Sequence, residues 1–276
     1  MHPHDLNQDL QTLSRQIARR RQALLWLAGA GGMTLLGCGG GGNSDANASE
    51  TTPGTGGSGS TCSVIPEETA GPYPGDGSNS SNGSIANALA LSGIVRSDIR
   101  SSFAGATAVA GGIPMTVTLT LVNTNGSCAA LAGYAVYLWH CDAGGRYSMY
   151  SNGVTGENFL RGVQQADANG QVTFTTIVPG CYSGRMPHMH FEVYRSGTAA
   201  TSYTNKIKTS QLALPTEICR TVYNSTALYS ASVANFAAIS FNTDNVFSDG
   251  VTTQLASVTG TLAAGYAATL VVGVAA

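Results

Sequence analysis

The chain is 276 residues long, with a formal net charge of −2 and only 10% charged residues. Its sole lysines, Lys206 and Lys208, make no basic patch, so composition excludes a nucleic-acid partner. Five cysteines follow Cys38 at wide spacings without a CxxC pair, which argues against a cysteine zinc cluster; five is odd, so at least one is free or joined to another chain.

Arg19, Arg20 and Arg21 precede an apolar run, Ala23 to Leu36, which ends at Gly37-Cys38-Gly39. A charged stretch, a short apolar stretch and small residues make up an export signal, and the run is too short and glycine-rich for a comfortable membrane span. The order Arg20-Arg21-Gln-Ala-Leu-Leu resembles a twin-arginine signal. Leu35-Leu36-Gly37-Cys38 resembles a bacterial lipobox, in which Cys38 would carry the lipid. The alternatives are an uncleaved anchor or a signal cut without lipidation. Residues 39–61 are mostly Gly, Ser, Thr, Asn and Ala, too poor in apolar side chains to offset their ordering entropy. The expected organisation is an export signal over 1–38, a flexible tether over 39–61 and one domain over 62–276. That places the protein outside the cytoplasm, membrane-anchored or in the periplasmic or extracellular space.

The domain reads as strands. The polar stretch Ser78 to Asn87 is expected to be a surface loop. Met115, Val117, Leu119 and Leu121 alternate with threonines, the pattern of a half-buried strand. Gly133 to Trp139 is a second strand, and Asp167-Ala-Asn-Gly170 a turn. Gln171 to Val178 follows, stopped by Pro179-Gly180. Met186 to Tyr194 is the next strand. Pro215 to Tyr223 is the one expected helix, with proline at its first turn. Val251 to Val274 supplies one or two more strands, interrupted by Gly260 and Gly265. The fold class is therefore all-β: a β-sandwich of mixed or antiparallel strands with long loops and one short helix.

Alternate residues of a strand share a face, so His188 and His190 point one way and Met189 the other. Tyr147, in the turn after the strand ending at Trp139, and Tyr182, after the Pro179-Gly180 break, both sit at strand ends, where loops gather side chains. Two imidazoles and two phenolic oxygens form an N/O donor set; phenolate is a hard anionic ligand, and both donor types suit iron. Each residue alone has a bland reading, the tyrosines as core and the histidines as hydrogen-bonded structure. Arg185 and the Pro-Gly-Cys-Tyr turn within a dozen residues of the histidine pair raise the chemical reading above it. His140 reads as core, Asp142 as the stabiliser of its own turn, and Cys181 as structural.

The stretch Gln164 to Phe191, with Asp167, Gly170, Phe174, Pro179-Gly180-Cys-Tyr182, Gly184-Arg185 and His188-Met-His190, closely resembles the intradiol ring-cleavage dioxygenases. Glu68-Thr-Ala-Gly71-Pro72-Tyr73 resembles the family's early entry segment, Ile94 to Phe103 the stretch that follows it in protocatechuate 3,4-dioxygenase-like chains, and Trp139 to Tyr147 the segment with the family's first tyrosine ligand, in the expected order. The resemblance implies one non-haem Fe(III) per chain, with Tyr147, Tyr182, His188 and His190 as ligands. It implies a catechol-type substrate and O₂, with ring opening between the two hydroxylated carbons to a muconate-type diacid. Tyr182 would be the ligand displaced by substrate, Arg185 the cation steadying charge on it, and Gln211 a supporting polar residue. The resemblance also leaves room for a homo-oligomer. The chain lacks the helical N-terminal region of catechol 1,2-dioxygenases, and Ser183 and Met186 stand where the family has other residues, often proline or tryptophan. The competing expectation is a non-catalytic, metal- or ligand-binding β-sandwich lipoprotein. Extradiol cleavage, with two histidines and one carboxylate on Fe(II), is disfavoured by the tyrosine pair.

Overall fold

A computed structural model describes residues 62–276. The expected export signal, Cys38 and the tether lie outside the described residues. Among those described are eleven strands: β1 (Asp76–Ser81), β2 (Ser84–Asn87), β3 (Pro114–Asn123), β4 (Ala129–Ala130), β5 (Ala135–Trp139), β6 (Arg161–Gln165), β7 (Gln171–Ile177), β8 (His188–Tyr194), β9 (Lys206–Ala213), β10 (Ser257–Thr261) and β11 (Gly265–Val274). Two short helices, α1 (Thr216–Tyr223) and α2 (Ser230–Ala237), lie between β9 and β10.

One sheet runs β10–β11–β3, with β7 and the two-residue β4 along the far edge of β3. It is mixed, because β11 and β3 are parallel while the other pairs are antiparallel. The second sheet, β6–β5–β8–β9, is wholly antiparallel. Met115, Val117, Leu119, Val172 and Phe174 of the first sheet pack with Val136, Leu138, Met189, Phe191 and Val193 of the second. That two-sheet core is the β-sandwich expected from the alternation of these strands.

The second sheet is covered on its other face too. Ala135, Tyr137, Trp139, Val163 and Tyr194 form a separate cluster there with Tyr147 and Leu89. All seven residues of β8 are consequently buried. Its odd-numbered residues fill the sandwich, and its even-numbered ones, His188, His190, Glu192 and Tyr194, enter the second layer.

Two expectations need correction. Ser78 to Asn87 is not a loop but most of the β1–β2 hairpin. Its turn is Asn82-Gly83, both at positive φ (50° and 80°), the geometry of the tight turn that suits hairpin twist. The Asn-Gly signal was present, but its serine-rich flanks lack the apolar alternation that marks a strand. The second correction is α2, where one helix was expected. Ser-Ala-Ser-Val-Ala-Asn-Phe-Ala has no apolar 3.6-residue period, so helical burial left little trace in the pattern. In α1, by contrast, Cys219, Val222 and Tyr223 are buried at helical spacing, and Glu217 and Arg220 sit at the ends the helix dipole favours.

Cys62 and Cys128 are joined in a disulfide, 66 residues apart, while Cys141, Cys181 and Cys219 are free and buried. The bridge ties the first described residue to the β3–β4 turn. Closing a loop of that length restricts the unfolded chain, so Cys62→Ser/Cys128→Ser should lower the unfolding free energy by about 2–4 kcal/mol. Urea denaturation of variant and parent checks this.

Candidate functional site

The register of the second sheet builds the floor of the site. Trp139 of β5 lies opposite His190 of β8, and His190 lies opposite Gln211 of β9. Trp139 stacks on the His190 ring, with centroids 4.9 Å apart and planes within 6°. His188 and His190 are neighbours on this face, their Nε2 atoms 3.0 Å apart.

Two turns bring in the tyrosines. Asp142 holds the first: its carboxylate accepts hydrogen bonds from the backbone N–H of Gly144 and Arg146 and from Arg146 Nε. That is the turn-stabilising part expected of it. Gly145, at φ +82°, lies against the second turn, where a Cβ would come 3.3 Å from Tyr182 Cα and Cβ. Ser232 of α2 fastens the two together, donating to the Ala143 carbonyl and accepting from the Cys181 N–H. Tyr182 meets His188 edge-on at 5.6 Å, and Tyr147 meets Tyr182 and His190 at 5.7 and 6.2 Å. Tyr147, Tyr182, His188 and His190, predicted from sequence as one set, are thus one cluster of rings.

The state of these groups bears on what they can hold. His188 Nδ1 donates to the Met186 carbonyl at 2.5 Å, which fixes the tautomer and leaves a lone pair on Nε2. Burial, then nearby Arg185, pushes the His188 pKa far below its ordinary value; burial and His188 do the same to His190. Both rings are therefore neutral at ordinary pH. Burial, then Tyr182, raises the Tyr147 phenol well above its usual pKa, and burial raises Tyr182 to about 12. Arg185 opposes both shifts. The Tyr147 hydroxyl is buried without a hydrogen-bond partner, and His190 Nδ1 lies by the Thr69 backbone outside hydrogen-bond geometry. Unsatisfied polar atoms are costly in so enclosed a place. A highly charged cation would meet the Tyr147 oxygen and the Nε2 atoms of the two imidazoles and stabilise the phenolates, so the residues present fit Fe(III). Among the described residues no group of three His, Cys, Asp or Glu could hold a metal, and this donor set is instead half phenolic.

Arg185 and Gln211 are also in contact: Arg185 Nη2 donates to Gln211 Oε1 at 2.6 Å, and Gln211 Nε2 donates to the Thr69 carbonyl at 2.9 Å. Beside them the Gly71-Pro72-Tyr73 segment crosses the floor. Gly71, at φ +69°, passes so near that a Cβ would come 3.2 Å from His190 Cε1. The Tyr73 ring packs on Tyr147 at 4.9 Å. His140 is bound to Thr176 Oγ1 and the Cys141 carbonyl, and Cys181 is a buried thiol whose Sγ faces the Arg185 carbonyl.

Residues 98–194 match the family model described as Dioxygenase. An intradiol ring-cleavage dioxygenase from Tetranychus urticae superposes with a TM-score of 0.59 at 24% identity, over 77% of this chain and 95% of that one. A second solved dioxygenase gives 0.58 at 24% identity, over 77% and 94%. The described residues share the fold of these solved dioxygenases, and residues 98–194 are similar to the family. The dioxygenase domain of a carbohydrate-binding fusion protein from Streptomyces sp. SirexAA-E aligns at 23% identity over 77% of this chain and 98% of that one, with a TM-score of 0.47. No curated protein matches the sequence.

Sequence reasoning missed two buried residues beside the ring cluster, Asp244 and Arg161. Asp244 pairs with Arg185 from 59 residues away, on a loop whose Asn-Thr-Asp-Asn sequence reads as an ordinary turn. Arg161 stands opposite Trp139 at the end of β6, a strand also missed, and is 1% exposed. It donates to the Tyr73 and Pro74 carbonyls, to the Ser148 carbonyl and hydroxyl, and to the Tyr137 hydroxyl. One planar guanidinium therefore ties the Tyr73 segment to the residue after Tyr147. Only the Leu-Arg-Gly step before a strand hinted at it.

Arg161→Met should strand several buried carbonyls and cost about 3 kcal/mol or more. Arg161→Lys should recover less than half of that, because an ammonium lacks the planar fork. Thermal unfolding of the two variants checks both. Farther along the same face, burial pushes Glu192 up to about 7 against the pull of Lys206, whose Nζ is 2.7 Å away. Asp76, buried on the hairpin, adds repulsion, and Tyr194 donates to the same carboxylate. Between its ordinary carboxyl range and pH 7 the folded protein retains a proton that the unfolded chain has lost. This contribution to stability is therefore full at low pH and declines as pH rises to about 7. Glu192→Gln should flatten that part of the curve of unfolding free energy against pH.

Proposed function

We propose that this protein is an exported, mononuclear, non-haem Fe(III) dioxygenase. It would cleave a catechol-type ring between the two hydroxylated carbons, with both atoms of O₂ entering a muconate-type diacid. One observation carries the reading: two neutral imidazoles and two phenols, drawn from three separate segments, converge on one buried point beside a guanidinium. A structural β-sandwich has no use for that set. The dioxygenase-family match over residues 98–194 supports the same reaction class.

Tyr147, Tyr182, His188 and His190 would hold the iron, which supplies Lewis acidity and draws electron density from a bound catecholate. The chain supplies the rest. Trp139 and the Met186 carbonyl hold the two imidazoles in their planes. Tyr182 is the only one of the four that is partly exposed, which suits a side chain that yields its place to substrate. Arg185, held by Gln211, faces both phenols and offers fixed donors to developing negative charge. Burial of Tyr147, His188 and His190 limits water at this cluster and strengthens those interactions. The expected twin-arginine signal suits such an enzyme, because folding and iron loading would precede export.

Iron-loaded protein should bind one Fe(III) per chain and show a broad visible band that shifts to longer wavelength when catechol is added without air. Admitting O₂ should then yield a muconate. Tyr147→Phe should weaken the band, and His190→Ala should lower iron content severalfold or more, in line with the loss of a metal ligand. A protein that stays colourless after Fe(III) reconstitution would leave a non-catalytic binding module in its place.

A further inference from the structure

We infer that Asp244 is a positioning residue: through Arg185 it sets the orientation of the guanidinium at the iron and catechol site. The inference rests on the function proposed above.

Asp244 is fully buried, and both its oxygens accept from Arg185 Nε, at 3.1 and 3.0 Å. Oδ2 also accepts from the Met186 N–H at 2.6 Å, and Oδ1 from the N–H groups of Val246 and Phe247 at 2.8 and 3.0 Å. One carboxylate therefore joins three things: the guanidinium, the backbone two residues before His188, and its own turn. The turn delivers Phe247, whose ring lies 5.5 Å from the guanidinium carbon and 6.2 Å from the His188 ring. Gln211 takes Nη2 from the other side. Held at Nε, at Nη2 and over one face, the guanidinium has no free rotation about its long side chain.

The pairing also changes what Arg185 offers. A lone buried guanidinium would present a full positive charge to two phenols. With Asp244 at its back, the pair is close to neutral overall, and what remains is an array of N–H donors aimed by the clamp. Charge developing on a substrate would then meet preorganised donors that need no reorientation. Without Asp244 the same arginine keeps its charge and loses its direction.

The test is a double-mutant cycle on the full chain, paired with a measurement that needs neither iron nor turnover. Asp244→Ala should lower kcat for catechol about 10–100-fold per iron-loaded molecule and change KM much less, as expected for an interaction that matters mainly in the transition state. Arg185→Gln should lower kcat at least as far, and the double variant should fall no further, because the two residues act as one unit. In iron-free protein, the Arg185 Nε–H resonance, assigned by its loss in Arg185→Gln, should exchange with solvent at least about 10-fold faster in Asp244→Ala. Should Asp244→Ala fail to fold, Asp244→Asn keeps most of the turn's hydrogen bonds and takes its place. Losses that multiply in the double variant, or equal exchange protection in parent and variant, overturn the inference. If no catechol is turned over at all, the proposed function fails, and the exchange measurement still decides whether Asp244 holds Arg185.

Discussion

The pleat of β8 is the constraint on which the site depends. A strand buried on both faces must place alternate residues in different environments. The sandwich takes Met189, Phe191 and Val193. The opposite face therefore receives His188, His190, Glu192 and Tyr194, all polar or amphipathic and all buried. A one-residue slip in register would exchange the two sets and put the histidines into the hydrocarbon core. Pairing of β8 with β5 on one side and β9 on the other fixes that register, and with it the row Arg161–Trp139–His190–Gln211. Four of the features that define the site are thus one consequence of strand pairing.

A buried polar face then demands cover and partners. The 64–76 segment and the β1–β2 hairpin supply cover, and each introduces groups that answer those already present. Pro74 and Tyr73 carbonyls meet Arg161, the Thr69 carbonyl meets Gln211, and Asp76 reaches the Lys206–Glu192 pair. The hydrogen bonds of Arg161 go to carbonyls and hydroxyls. Such an arrangement is stable only when complete, because removing either side leaves uncompensated polarity in a low-dielectric place. The early Gly71-Pro72-Tyr73 segment therefore belongs to the site by necessity, although it lies more than a hundred residues from the histidines.

What was legible in the sequence followed the physics of short range. Alternation along β3 and β8, the Pro179-Gly180 stop and the helical spacing of Cys219, Val222 and Tyr223 each leave a pattern within a dozen residues. The resemblance of four ordered segments added the four ring residues and Arg185, and the structure brings those five together with Gln211. The rest was hidden for identifiable reasons. Asp244 reaches Arg185 across 59 residues, and an aspartate in a turn usually serves the turn, as Asp142 does. Arg161 looks like a surface cation at a strand end until the backbone of a distant segment supplies its acceptors. The β1–β2 hairpin and α2 are built from serine, alanine and asparagine, whose burial or exposure leaves little periodic signal.

The ring cluster itself departs from the rule that buried polar atoms find partners. Several groups around it are well bonded: Arg185, Gln211, Asp244 and the Met186 carbonyl all have partners at short distances. At the centre, the Tyr147 hydroxyl has none. Such local frustration is held in place by the strength of its surroundings rather than by its own interactions. A cation at this point would convert the unpartnered Tyr147 oxygen into a ligand, and binding free energy would add to the stability of the fold. The shell of Arg161, Asp244 and Ser232 can then be understood as the structure that keeps the four rings together until that happens.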